Sequence, residues 1–309
     1  MKLIELFNQY KAKRLRFKSP NTSRLYLHTI RSFGKTLARE ATIDDLTSDK
    51  VELHMSRIIE GGGSPASANK DRSQLLALWR FAATHKIVDR WPDVQIANEP
   101  EIVPMGWLPG DLDQLLRAAE TERGFLGEVP ARLWWSALLR VLLATGERIG
   151  AIVHLETHHL QGDWLLVPAE HRKGKRRDRL YPIGKDAADA VRELIAANKS
   201  TKQIFPFPYA ATYLYKKLNS VLLRAGLPID RRSKFHRMRR TVASAVARAG
   251  GDPTAALDHA SPKTTKKYID PRIVGAVPVA DILAQYLSSP RPPADRDRDG
   301  DGDGKRDVG

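Results

Sequence analysis

Apolar positions recur with a helical period from the first residues of the chain. Leu3, Ile4, Phe7 and Tyr10 form one stripe; after a Ser19-Pro20-Asn21-Thr22 break, Leu25, Leu27, Ile30, Phe33 and Leu37 form a second. Asn21 is the candidate N-cap of that second helix. Asp44-Asp45 and Thr47-Ser48 mark another helix start, with Val51, Leu53, Met55, Ile58 and Ile59 behind it. Gly61-Gly62-Gly63-Ser64-Pro65 is a loop, and Ala66 to Thr84 reads as a fourth helix with Leu75, Leu76, Leu78, Trp79 and Phe81 as core. No alternating strand pattern precedes residue 95, so residues 1–95 predict a small all-helical domain.

The pattern then changes. Pro92, Pro100, Pro104 and Pro109 interrupt any regular element, and residues 96–110 are expected to be a linker. Asp111 can cap a helix containing Leu112, Leu115 and Leu116. Residues 130–144 are apolar nearly all round, which predicts a buried central helix, ended by Gly146. Trp164–Val167 and Leu180–Ile183 read as short strands of a hairpin with Gly174 in its turn. Residues 185–226 are mostly helical around a Phe205-Pro206-Phe207-Pro208 break. A helix from His236 ends at Gly250-Gly251, a short one runs from Pro253 to Leu257, and Ser261-Pro262 opens a third that carries Tyr268 and stops at Asp270-Pro271. Ile273–Leu287 is amphipathic. The second domain is therefore residues 111–287, mixed but mainly α with a small antiparallel sheet, and residues 288–309, rich in Pro, Asp and Gly, are expected to be a disordered tail.

Length and charge sharpen this picture. A chain of 309 residues suits two domains. Its 51 Lys and Arg against 36 Asp and Glu give a net charge of +15, and both domains share the excess. A polyanion is the partner such a balance implies, although a basic protein without one remains the alternative on charge alone. The absence of cysteine excludes disulfides, thiolate metal ligands and a cysteine nucleophile. No run of about 18 apolar residues and no secretory leader pattern is found, so a soluble cytoplasmic protein without a membrane partner is expected.

Candidate chemistry sits in four places. Arg148, in Thr145-Gly146-Glu147-Arg148-Ile149-Gly150, lies where the buried helix meets a new helix expected from Glu147 to about Leu155. Alone it reads more readily as a surface arginine at a turn. Six of the eight residues 172–179 are basic, at the tip of the hairpin. Such a tip either sits on phosphates or forms a solvated edge. His236 and Arg239, three apart, share a helix face. His259 and Tyr268 follow on the short helices. Two arginines can clamp the non-bridging oxygens of one phosphate. Histidines can donate to the same oxygens or relay a proton, a lysine can protonate a leaving oxygen, and a tyrosine can attack phosphorus. His154, His158 and His159 read as neutral strand or loop histidines, no convincing metal constellation is found, and no cofactor is expected.

These motifs, in this order and spacing, resemble the tyrosine recombinase (phage integrase) family: Thr145-Gly146-Glu147-Arg148-Ile149, the Lys173-Gly174-Lys175 hairpin, His236-x-x-Arg239, and His259 nine residues before Tyr268. Ser19-Pro20-Asn21-Thr22 and Ser64-Pro65-Ala66-Ser67-Ala68-Asn69 are similar to the helical, SAM-like core-binding domain of those enzymes, so the resemblance spans about residues 1–287. It implies a C-shaped clamp around double-stranded DNA and a homo-tetramer on paired sites, with accessory DNA-bending proteins as possible partners and the nucleoid as the place of action. It implies Tyr268 as nucleophile, Arg148 and Arg239 as phosphate ligands, His236 in proton transfer, His259 as a hydrogen-bond partner of the phosphate, and Lys173 as general acid, with Lys175 its rival. Two departures stand out. The family's usual acidic residue three positions after the first arginine is Ala151 here, with Glu147 before the arginine instead, and the usual glycine before the second histidine is Asp258. The first is expected to loosen the support of Arg148, the second to bring a carboxylate near the phosphate. A DNA-binding regulator without catalysis and a type IB topoisomerase-like relaxing enzyme are the alternatives.

Overall fold

The computed structural model describes residues 1–174, 177–198, 202–231, 234–275, 279, 280 and 283, and its contacts divide the chain into Met1–Ile102 and Val103–Gly309. Most of the amphipathic Ile273–Leu287 segment, all of the 288–309 tail and Lys175 lie outside the described residues.

The first unit is helical: α1 (Leu3–Arg14), α2 (Pro20–Thr36), α3 (Ser48–Glu60) and α4 (Pro65–Thr84). Proline opens α2 and α4 at their first position, where its missing N–H costs nothing. The N-cap of α2 is therefore Ser19, and Asn21 lies inside the first turn. Phe7, Phe33, Leu46, Leu75 and Trp79 fill the dry centre. The segment after α4 is tied back onto it: the Asn69 side chain donates to the Ala97 carbonyl at 2.8 Å and accepts from its N–H at 2.9 Å.

One polar cluster lies inside this unit. The Thr29 hydroxyl donates to Asp71 at 2.7 Å, His54 Nε2 lies 3.2 Å from the other carboxylate oxygen, and Thr36 Oγ1 is 2.7 Å from His54 Nδ1. Burial pushes the Asp71 carboxyl up, but these donors and Lys70 outweigh it and hold its pKa at about 2. Asp71→Ala takes the carboxylate from His54, while Thr29 keeps Gln74 Oε1 at 2.7 Å, and is expected to cost about 3 kcal/mol in urea unfolding. A folded pKa below the unfolded one stabilises above the ordinary value of 3.8 and stops doing so as pH falls through about 2. The wild-type advantage over Asp71→Ala should therefore shrink on acidification; a gap constant from pH 7 to the acid range would refute this account.

The second unit is organised around α6 (Ala131–Thr145), which packs against α5 (Pro109–Glu120), α8 (Gly184–Ala197) and α10 (Phe235–Arg248). Trp134, Trp135, Leu138, Leu139 and Val141 are wholly buried, and Trp134 Nε1 donates to the Pro206 carbonyl at 2.9 Å. Asp111 does not cap α5. It stands inside the first turn, where its carboxylate accepts from the N–H of Leu108, the residue preceding the helix, at 2.9 Å. Two small antiparallel sheets complete the unit. A hairpin pairs β1 (Phe125–Leu126) with β2 (Val129–Pro130), and β3 (Leu160–Gln161), β4 (Trp164–Val167) and β5 (Arg179–Pro182) form a second sheet in that order, with Leu165 opposite Tyr181. α9 (Ala211–Arg224) covers the far side of α5. Among the described residues no helix is long and apolar enough to cross a membrane.

Candidate active site

The end of α6 sets the first functional residue. Gly146 closes the helix at φ +62°, and a Cβ there would come within 3.0 Å of Leu257 and Val242 side-chain carbons. Backbone geometry and packing thus both favour glycine. The chain turns extended at Arg148, which becomes the N-cap of α7 (Ile149–Ile152). The helix expected from Glu147 to Leu155 is only that single turn. Arg148 is half-buried, and its guanidinium makes no hydrogen bond to the described residues.

Arg239, on the inner face of α10, is 2 % exposed and differs from Arg148 in that both its terminal nitrogens are engaged, while its buried Nε has no hydrogen-bond partner among the described residues. Its guanidinium donates to the Gly146 carbonyl, to the Leu257 carbonyl at 2.6 Å, and to His259 Nε2 at 3.1 Å. A guanidinium only donates. His259 Nε2 therefore offers a lone pair, and its Nδ1–H donates to Thr265 Oγ1 at 3.0 Å. That fixes a neutral tautomer. Burial first, then the charges of Arg239 and Arg148, push the His259 pKa down to about 4.

Tyr268 stands beside this group. Its ring centre is 4.7 Å from that of His259, 6.1 Å from that of His236 and 5.8 Å from the guanidinium carbon of Arg239. The sequence placed Tyr268 on a helix, but α12 (Pro262–Lys266) ends before it. The tyrosine occupies the turn between α12 and α13 (Pro271–Val274). Its C-terminal side is pinned: Ser244 Oγ accepts from the Asp270 N–H at 2.8 Å, and its hydroxyl lies 2.7 Å from the Arg240 carbonyl and 3.3 Å from that of Tyr268. The Asp270 carboxylate, wholly buried, accepts from Gly106 N at 2.7 Å and from Arg272.

His236 reaches solvent at the start of α10. Crowding by protein around the ring, then the cations Arg148, Arg239, Arg240 and Lys173, hold its pKa below the ordinary value. Lys173 is exposed on the loop between β4 and β5, near enough for its charge to act on His236. The six residues singled out in the sequence thus converge. The rest of the basic hairpin does not simply face outward. Arg172 is buried against Glu147, Arg177 pairs with Asp258, and Arg179 donates to the Ala255 carbonyl at 2.8 Å. Arg237, one of the basic residues near the start of α10, also turns inward and lies over the Trp107 ring at 3.7 Å.

Residues that carry this site but had no distinctive signal are Arg172, Tyr181, Ser244, Thr265 and Asp270. Arg172, Tyr181, Ser244 and Asp270 are ordinary residues with a partner far away in sequence, and Thr265 meets His259 six positions before it. The histidines after α7 cluster, with His154 and His171 rings 5.5 Å apart and His158 and His159 rings 4.0 Å apart. Among the described residues no three His, Asp or Glu side chains are grouped to hold a metal ion.

The mainly helical fold with its small antiparallel sheets is shared with solved integrase structures. It matches a lambda integrase fragment in a dimer bound to a core site with a TM-score of 0.68, at 17 % identity over 88 % of this chain and 96 % of that one. A Tn1549 transposon integrase in complex with circular-intermediate DNA matches at a TM-score of 0.70 and 17 % identity, over 93 % of this chain and 99 % of that one. In sequence, the tyrosine recombinase XerD of Rhizobium meliloti (strain 1021) is 25 % identical over 259 residues, 78 % of this chain and 81 % of the relative. The model of the phage integrase family matches residues 108–273, and the chain belongs to that family. It is a tyrosine-type site-specific recombinase, an enzyme that breaks and rejoins DNA strands.

Proposed function

We propose that Tyr268 cuts DNA by forming a 3′-phosphotyrosine, and that the chain exchanges strands between two duplex sites through this intermediate. The observation that carries the reading is the packing of Tyr268 against His259 and the Arg239 guanidinium, with Arg148 leaving its donors free beside them. Arg148 and Arg239 bind the non-bridging oxygens of the scissile phosphate and stabilise the charge that builds on them. The Tyr268 oxygen attacks phosphorus while the bond to the 5′ oxygen breaks. His236, held neutral by its cationic surroundings, takes the phenol proton. Lys173 gives a proton to the departing 5′ oxygen. One phosphate ester replaces another, so no ATP, metal or other cofactor is needed to conserve the bond.

His259 has a distinct part. Burial, then the charges of Arg239 and Arg148, hold its pKa near 4, and a phosphate between the two arginines offsets those charges. The ring then takes up a proton and donates Nε2–H to the phosphate in place of accepting from Arg239. Because the free-state pKa is the depressed one, DNA binding should take up a proton and tighten as pH falls from about 7 to 5. Calorimetry in buffers of different ionisation enthalpy measures that uptake, and His259→Gln should abolish it. Uptake unchanged in His259→Gln would assign the proton elsewhere.

In this reading residues 1–95 form the helical core-binding domain, 96–110 the linker and 111–287 the catalytic domain. The two domains close on the duplex as a C-shaped clamp, and four copies assemble on paired sites. A lambda integrase tetramer on a Holliday junction has the same fold, which supports the assembly. Accessory DNA-bending proteins and action within the nucleoid belong to the same proposal. The test is a nicked substrate carrying candidate sites, incubated with the protein in EDTA. An SDS-resistant adduct at a defined sequence, formed on two sites together, is expected. Binding without an adduct would mark a regulator, and adducts at scattered sequences a relaxing enzyme.

A further inference from the structure

The two departures from the family pattern meet in space. Glu147, the displaced acid, is buried behind Arg148. Its Oε1 accepts from Arg172 Nε at 2.7 Å and from the Tyr181 hydroxyl at 2.7 Å, and its Oε2 from the Arg148 N–H at 3.2 Å. Arg172, with a side chain 7 % exposed, also reaches Asp258 Oδ2 at 3.0 Å and the Arg177 carbonyl at 3.1 Å. Asp258 is the residue standing where the family usually has glycine. It keeps that glycine-like backbone, with φ +51°, and turns its carboxylate to Arg172 and Arg177. The carboxylate expected to lie near the phosphate is thus engaged by the hairpin. Position 151, where the family usually has its acid, is a buried alanine.

We propose that Glu147, Arg172 and Asp258 form a positioning relay that holds Lys173 at the leaving 5′ oxygen, in register with Arg148 and Arg239. This rests on the reading of Lys173 as general acid. Three segments meet here: the turn at Arg148, the loop at Lys173, and the turn at Leu257–His259 that meets Arg239. Arg172 is adjacent to Lys173 in the chain and touches both other segments. Its bond to the Arg177 carbonyl also closes the neck of the loop. A buried guanidinium shared between two carboxylates is geometrically demanding: the Glu147 pair holds its inner side, and the Asp258 pair fixes its other end. The loop is thereby tied to the phosphate ligands by short ionic bonds, and support of this kind governs how well an exposed catalytic group is placed. The acid lost at position 151 and the acid gained at 258 are two parts of one arrangement.

The test separates positioning of the acid from fold and from phosphate binding. Sulfur in place of the bridging 5′ oxygen leaves as a thiolate and needs no proton. Asp258→Asn removes the charge at nearly constant shape, and Asp258→Gly suits the left-handed backbone, so neither should fail to fold. In single-turnover cleavage at saturating DNA, both should slow the oxygen substrate about 10- to 100-fold. Both should stay within about threefold of wild type on the sulfur substrate, where protonation of the leaving group no longer matters. Lys173→Ala should show the same contrast with a larger loss. Equal slowing on both substrates, or wild-type rates on both, would overturn the relay. A wild-type enzyme that cleaves through Tyr268 while Lys173→Ala is not rescued by sulfur would remove the acid assignment and the relay with it. Failure of the wild type to form any adduct would instead overturn the recombinase mechanism itself.

Discussion

Tyr268→Phe should bind its DNA site as the wild type does and form no covalent adduct. The substitution removes one oxygen and keeps the ring that packs on His259 and Arg239. That hydroxyl makes no hydrogen bond to the described residues, so the fold loses nothing measurable and stability should change by less than about 0.5 kcal/mol. Cleavage should fall at least about 10⁴-fold, because the oxygen removed is the one that attacks phosphorus in the proposed mechanism. Gel analysis of adducts on a nicked substrate reads the loss, and binding measured in parallel shows that the site is still occupied. An adduct that persists in Tyr268→Phe would identify another nucleophile and undo the site as drawn.

The second large effect separates two arginines that look alike in sequence. Arg148→Ala and Arg239→Ala should each slow cleavage about 10²- to 10³-fold, the range for one oxyanion-stabilising donor. Their stabilities should part. Arg148 makes no side-chain hydrogen bond to the described residues, so its alanine variant should melt with the wild type. Arg239 holds the carbonyls of Gly146 and Leu257 together, and removing it leaves both buried acceptors without their donor. A loss of about 2 kcal/mol is expected, tempered by the cost of having buried a cation at all. Thermal melts of the two variants side by side decide the matter. Equal melting temperatures would mean that Arg239 is a ligand for phosphate and not also an internal strut.

This contrast also shows where sequence reading stops. The spacing of His236 and Arg239 places both on α10, because helical period is a local property. The buried character of α6 was equally legible, since apolar residues around Trp134 and Trp135 leave only a narrow polar stripe of Arg132, Ser136 and Arg140. The Trp164–Val167 strand and its partner were visible for the same reason. The two-residue strands at Phe125 and Val129 were not, because alternation over two residues carries no pattern. Tyr268 fell outside its expected helix because α12 spends only five residues before turning toward Asp270, and that turn is fixed by Ser244, 24 positions earlier. Arg172 illustrates the general limit. Within a run of basic residues nothing distinguishes the one that will be buried; its partners Glu147 and Asp258 come from segments far apart in the chain. Asp258 was read as an intrusion near the phosphate because its direction depends on the hairpin's approach, which no local pattern encodes.

The pin at Asp270 has one more consequence. The tyrosine is fastened to the same helix that carries Arg239, through Ser244 on the next turns of α10. On the proposed mechanism nucleophile and phosphate ligand are parts of one lever, and each copy of the chain is expected to cut in cis, with its own tyrosine. A copy lacking Tyr268 could not borrow one from a neighbour. It would occupy a site and leave it uncut, so a defective allele would poison any assembly it joined instead of being rescued by its partners.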